Sequence, residues 1–213
     1  MRTLLPIDEL NRIKEMLVVS QYETDGKPKY NLDKDRFIDA VYEMLVMAFV
    51  YGTESANADL KTAYKFSREE QRTEIDKIIA GKTWRERVAE YLDNGGSVDE
   101  IMRVAETESH RVVNDGIIAV GNKAEQSETL EPVDLKGISK QNAQTTPLKG
   151  IFKTWHTMLD DKVRDEHVEL EGQKIPLKSK FSTWDGFLTD RPGMFGVPEL
   201  DINCRCFLTL SRG

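Results

Sequence analysis

Three places in the chain gather side chains able to do chemistry. The first is Glu108. On a helix opening at Ser97, a rotation of about 100° per residue puts Ile101, Val104, Ala105, Val112 and Ala119 on one stripe, with Glu108 in its middle. A carboxylate on an apolar face must find a partner or take up a proton. Glu108 therefore reads as half of a buried ion pair or a cap for another loop, or as an acid/base residue; a misphased helix is the remaining option. The second place is Asp160, Arg164 and His167, spaced by four and three, which would stand side by side on a helix. Such a trio is an ion-pair ladder, or it binds or acts on an anion, and His167 could ligate a metal. The third is Asn203-Cys204-Arg205-Cys206. On a strand both thiols would share one face. They could form a strained disulfide, ligate a metal, or stay reduced, which is the default in a cytoplasmic product. Structural zinc takes four ligands, so Cys204, Cys206 and His167 would need a fourth from His156, an Asp or a Glu. The expectation is buried, reduced thiols with no metal and no cofactor, Arg205 tying the chain end to Asp160, Glu166 or the loop before Pro198, and Asp160 pairing with Arg164. No GxSxG, GxGxxG, HExxH or phosphate-binding Gly-rich loop with Lys-Ser/Thr occurs, so no catalytic residue is assigned.

The elements that must position these residues are mostly helical. Leu10, Ile13 and Leu17 predict a helix over 8–19 with Asp8 as a candidate N-cap, and Asp25-Gly26-Lys27-Pro28 predicts a turn or loop over 21–31. Asp33 would cap a helix to about Tyr51. Its stripe of Phe37, Val41, Met44, Leu45 and Ala48 is widened by Ile38, Tyr42, Val46 and Phe49, so it should be central. Ser67 with Glu70, Thr83 with Glu86 and Ser97 with Glu100 are three capping boxes, and Asn94-Gly95-Gly96 stops the helix carrying Trp84, Val88 and Tyr91. The helix from Ser97 should end near Gly121. Residues 123–150 are polar and turn-rich and read as a loop or extended connection. Residues 151–159 then read as a strand, 160–170 as a helix stopped at Gly172, and 204–210 as a final strand.

The chain has 213 residues, 39% of them hydrophobic, enough for one good core or two small ones. Net charge is −7 and uneven: residues 1–132 carry 18 Lys/Arg against 26 Asp/Glu, residues 133–213 carry 12 against 11. The acidic part argues against broad phosphate-backbone binding and suits a basic protein partner better; a weak DNA contact on the near-neutral part stays open. The longest near-apolar run, Val41 to Tyr51, is too short to span a bilayer, and Asp8 and Glu9 interrupt any leader, so a soluble product with no membrane partner is expected.

These constellations fall in an order that resembles the phage Mu F-like, SPP1-type minor head (head morphogenesis) protein family. Ile101-Met-Arg-Val-Ala-Glu-Thr-Glu108-Ser-His-Arg-Val-Val-Asn114 resembles its "RTE…N" helix, with Glu106 where the family usually has Arg. Lys153-Thr-Trp155, Asp160, Arg164, His167 and Gly172 match its next segment, and Asn203-Cys204-Arg205-Cys206 its closing "NCRC". The likeness covers about residues 97–210. It implies a structural motif of Glu108, Asn114, Trp155, Asp160, Arg164, His167, Gly172 and Asn203 to Cys206, and no established catalysis. It further implies a minor head protein of a tailed bacteriophage or prophage, located in the virion after synthesis in the host cytoplasm. Partners would be the portal protein and capsid or scaffold proteins, with an influence on DNA packaging or ejection. The expected fold is α+β: a mainly helical body over 1–122, whose helix 97–121 is shared with a small C-terminal α+β segment over 151–213. An enzyme using Glu108, Asp160, Arg164 and His167 on a phosphate or glycan, and a metal-stapled DNA-contacting module, are the competing readings.

Overall fold

A computed structural model describes residues 5–129 and 150–213. Its first helix, α1 (Ile7–Ser20), buries Leu10, Ile13 and Leu17. Its N-cap is Pro6, not Asp8, and Asp8 lies inside the first turn, where its charge suits the helix dipole. The segment expected as a loop is a hairpin of β1 (Gln21–Thr24) and β2 (Lys27–Tyr30). Asp25 and Gly26 both take positive φ (55° and 72°), the condition for a two-residue turn that matches strand twist. Helix α2 (Lys34–Leu60) is capped by the Asp33 side chain, which accepts from the Arg36 amide. It runs nine residues past Tyr51, because Gly52, Thr53, Ala56 and Leu60 continue its buried face. Helices α3 (Arg68–Ile75) and α4 (Trp84–Asn94) both open on complete capping boxes, and Gly95 ends α4 in the left-handed conformation. In α4 the buried residues are Trp84, Val88 and Leu92; Tyr91 sits at the exposed edge.

Helix α5 (Val98–Thr129) is the axis of the molecule. Its start is the third capping box, Ser97 with Glu100. It does not stop near Gly121, so the first seven residues assigned to the connection, 123–129, are helical. The rest of that connection, 130–149, lies outside the described residues. From Arg111 to Ile117 every residue is buried, so this stretch is enclosed on all sides. The closest neighbour is α2, and two glycines allow it. A Cβ on Gly52 would stand 2.0 Å from the Val113 carbonyl oxygen, and one on Gly116 would stand 2.5 Å from that of Phe49. Only hydrogen fits at this crossing.

The C-terminal part adds an antiparallel sheet in the order β4-β3-β7, made of β3 (Ile151–His156), β4 (Lys174–Pro176) and β7 (Phe207–Arg212). Strand β3 alternates, with Ile151, Lys153 and Trp155 inward. A second small hairpin pairs β5 (Phe181–Ser182) with β6 (Leu188–Thr189), and two single-turn helices, α6 (Asp165–Val168) and α7 (Pro198–Asp201), complete the chain. The fold is α+β, with its helical mass in the first part and its main sheet at the end. Three sequence expectations depart from the structure in this half. The strand over 151–159 ends at His156. The helix over 160–170 shrinks to α6, because the Asp160 side chain accepts from the Lys162 amide and holds a turn there. The last strand begins at Phe207, not at Cys204, because Asn203 is left-handed (φ 58°) and the Cys204 amide donates to the Asp201 carbonyl. No helix among the described residues is long and apolar enough to cross a membrane.

Candidate functional site

The site is a clasp between α5 and the segment entering β7. Thr107 and Asn114 are seven residues apart, two turns on one face of α5. The Thr107 hydroxyl accepts from the Asn203 amide at 3.1 Å. The Asn114 carboxamide donates to the Cys206 carbonyl at 3.1 Å and accepts from the Leu208 amide at 3.0 Å. One side chain thus imitates a neighbouring strand along the free edge of β7. The Asp59 carboxylate on α2 accepts the next outward amide, that of Leu210, at 3.0 Å. Gly172 returns the chain to β3: in the left-handed conformation (φ 73°), its amide donates to the Trp155 carbonyl.

The expected trio is not a ladder. Asp160 pairs with Arg205, not Arg164, through two hydrogen bonds of 2.6 and 2.8 Å. That bidentate bond, with a second from the Lys162 amide, holds the Asp160 carboxyl below its usual range. Arg164 donates instead to the Ile202 carbonyl at 2.5 Å. His167 is buried between Trp155, whose ring meets it edge-on, and Phe195, which stacks on it at 5.4 Å. Its Nδ1 lies 3.7 Å from Cys204 Sγ and 3.5 Å from Cys206 Sγ. Both thiols are buried and free of disulfide. The contact between them acts oppositely on the two: the Cys206 thiol, donating, pulls Cys204 down against the effect of burial, and the same contact, together with burial, holds the Cys206 proton on. His156, one possible fourth metal ligand, is engaged elsewhere, with the Thr209 hydroxyl at 2.8 Å and Glu171 at 3.4 Å.

Glu108 is buried and takes two cations. It pairs with Arg87 from α4 and accepts from Arg111 Nε at 2.8 Å. Arg111 also pairs with Asp115 and donates to the Glu74 and Ile75 carbonyls at 3.2 and 2.8 Å, which ties α5 to the end of α3. Burial works against the Arg111 charge, but Asp115 and Glu108 outweigh it and hold the guanidinium protonated. Asp115, fully buried, is completed by Arg191 from the C-terminal part, whose Nε donates at 2.5 Å. The result is an alternating chain, Arg87–Glu108–Arg111–Asp115–Arg191. Its members beyond Glu108 were not singled out in the sequence. Two of them carry a sequence signal, since Glu108, Arg111 and Asp115 are spaced by three and four, as Asp160, Arg164 and His167 are by four and three.

These placements limit the chemistry. Glu108 lines an apolar cleft of about 190 Å³ between α4, α5 and residues 193–202, but both its oxygens are bonded to guanidinium groups, and Asp160, Arg164 and His167 do not line that cleft. Each of the four residues considered for catalysis is thus engaged in holding two segments together. What the fold and site define is an α+β protein that fastens its C-terminal part to its central helix through buried charge and side-chain-to-backbone hydrogen bonds, with a thiol–imidazole cluster joining α6 to the segment entering β7. The chain belongs to the family of phage Mu protein F-like proteins, whose family model matches residues 71–209, from within α3 to the middle of β7. No curated protein and no solved structure matches it.

Proposed function

We propose that this chain is a minor structural component of the head of a tailed bacteriophage or prophage. It joins the particle during head morphogenesis by contacts with the portal or capsid protein and influences DNA packaging or ejection. The observation that carries the reading is the family match across residues 71–209, which takes in the α5 side chains of the clasp and the segment entering β7. Two features support a protein partner. The first is the acidic charge of residues 1–132. The second is the tip of the β5–β6 hairpin, where Trp184 is 73% and Leu188 55% exposed beside a half-exposed Phe187. An exposed aromatic cluster on a short hairpin is the kind of anchor that protein interfaces use. The reading is not enzymatic, because the ionisable groups of the site are consumed by one another.

Co-expression with the portal protein of the same phage, followed by purification and size-exclusion chromatography, is the test. A stable complex is expected, weakened at least tenfold by Trp184→Ala with Leu188→Ser. A chain that stays free of portal, capsid and scaffold proteins alike, and is missing from purified particles, would overturn the reading.

A further inference from the structure

His167 Nδ1, Cys204 Sγ and Cys206 Sγ converge within 4.8 Å of one another, all three residues buried. We propose that they form a site for a thiophilic divalent cation, zinc above all, with three protein ligands and an open fourth position, in which the ion staples α6 to the segment entering β7. The spacing fits. With Zn–S near 2.3 Å and Zn–N near 2.0–2.1 Å, tetrahedral angles put nitrogen and sulfur about 3.6 Å apart. The two observed separations are 3.7 and 3.5 Å. Those lengths suit a hydrogen bond that involves sulfur, and they are also what two ligands of one ion keep between them.

The surroundings fit as well. The His167 ring is fixed by Phe195 and Trp155, so its Nδ1 needs no rearrangement to point at the sulfurs. Its other nitrogen, Nε2, and the Trp155 indole N–H are both buried and make no hydrogen bond among the described residues. A buried indole N–H without an acceptor beside the cluster is a donor that a metal-bound thiolate can satisfy. The three donors line a narrow cleft of about 10 Å³ with Met158, Arg164 and Asn203. That is room for about one water, which supplies the fourth ligand. Binding displaces the two thiol protons to solvent, and the doubly charged cation with two thiolates and a neutral imidazole is a neutral set. A buried site accepts it without an uncompensated charge. Soft sulfur with imidazole selects zinc over magnesium or calcium.

The sequence pattern alone pointed the other way, because Cys-x-Cys is shorter than the usual zinc spacing and His167 is 37 residues upstream of Cys204. The fold supplies what the spacing lacks.

The test uses the full chain, expressed in zinc-supplemented medium and purified without chelator. Metal analysis should find about one zinc per chain. Cys204→Ser with Cys206→Ser, and separately His167→Ala, should remove it. If those variants fold poorly, the wild-type chain decides: stripped by chelator and titrated with Co²⁺, it should develop the visible bands of tetrahedral cobalt and sulfur-to-metal charge transfer near one equivalent, and stripping should lower Tm by several degrees. A wild-type chain that carries no zinc and stays colourless with Co²⁺ would overturn the proposal. So would zinc retained in the double cysteine variant.

Discussion

Glu108 holds two guanidinium groups, that of Arg87 partly exposed and that of Arg111 with no water to fall back on. Removing it leaves Arg111, itself almost fully buried, with a lost partner. Glu108→Ala should therefore cost about 3–5 kcal/mol, the range for breaking a buried pair by deleting one member. Urea denaturation of the variant is the measurement, and a loss under 1 kcal/mol would mean that water replaces the carboxylate. Lys153 offers a pH-dependent counterpart. It is buried on β3, and its ammonium donates to the Asp190 carbonyl at 2.7 Å. Burial pushes its pKa down from 10.5 to about 8. Between those values the unfolded chain holds a proton that the folded chain has released, so stability rises as pH climbs from about 8 towards 10.5 and is lower below that window. Lys153→Met should flatten that rise, as read from Tm at pH 7.5, 9 and 10. At this scale the sequence was half legible. The stripe around Glu108 demanded a partner, and the same helix spelled out Arg111 and Asp115. Arg191 was hidden, because 76 residues separate it from the Asp115 carboxylate it meets and no periodicity spans such a gap.

Helices announced themselves through caps and stripes, which are local. All three capping boxes, the Asp33 cap and the Gly95 stop were readable because each rests on residues three or four apart. Elements set by competition were not. The Asp160 side chain takes a backbone amide that a helix would need, and left-handed Asn203 postpones the last strand until after both cysteines. The depth of the α2–α5 crossing was equally invisible, since Gly52 and Gly116 look like ordinary helix interruptions until the facing carbonyls are known. Gly52→Ala should cost about 3 kcal/mol, because the atom it meets is backbone and cannot swing aside. The denaturation midpoint checks this, and an unchanged midpoint would show that the two helices stand further apart.

Taken whole, the molecule closes on itself. The C-terminal part supplies Arg191 to the charge chain of α5 and β7 to side chains on α5 and α2. That explains why the family match runs through helices and sheet together and does not stop at a boundary between them. It also bears on crowding. Along one margin of the three-stranded sheet, Asn114 and Asp59 occupy the outward amides of Leu208 and Leu210. The opposite margin is β4, three residues long and ending in Pro176, which has no amide hydrogen to offer. Both margins are thus blunted against an added strand. Copies held close together therefore have little to gain by adding strands to this sheet, and the open strand edges that remain among the described residues are those of the β1–β2 and β5–β6 hairpins.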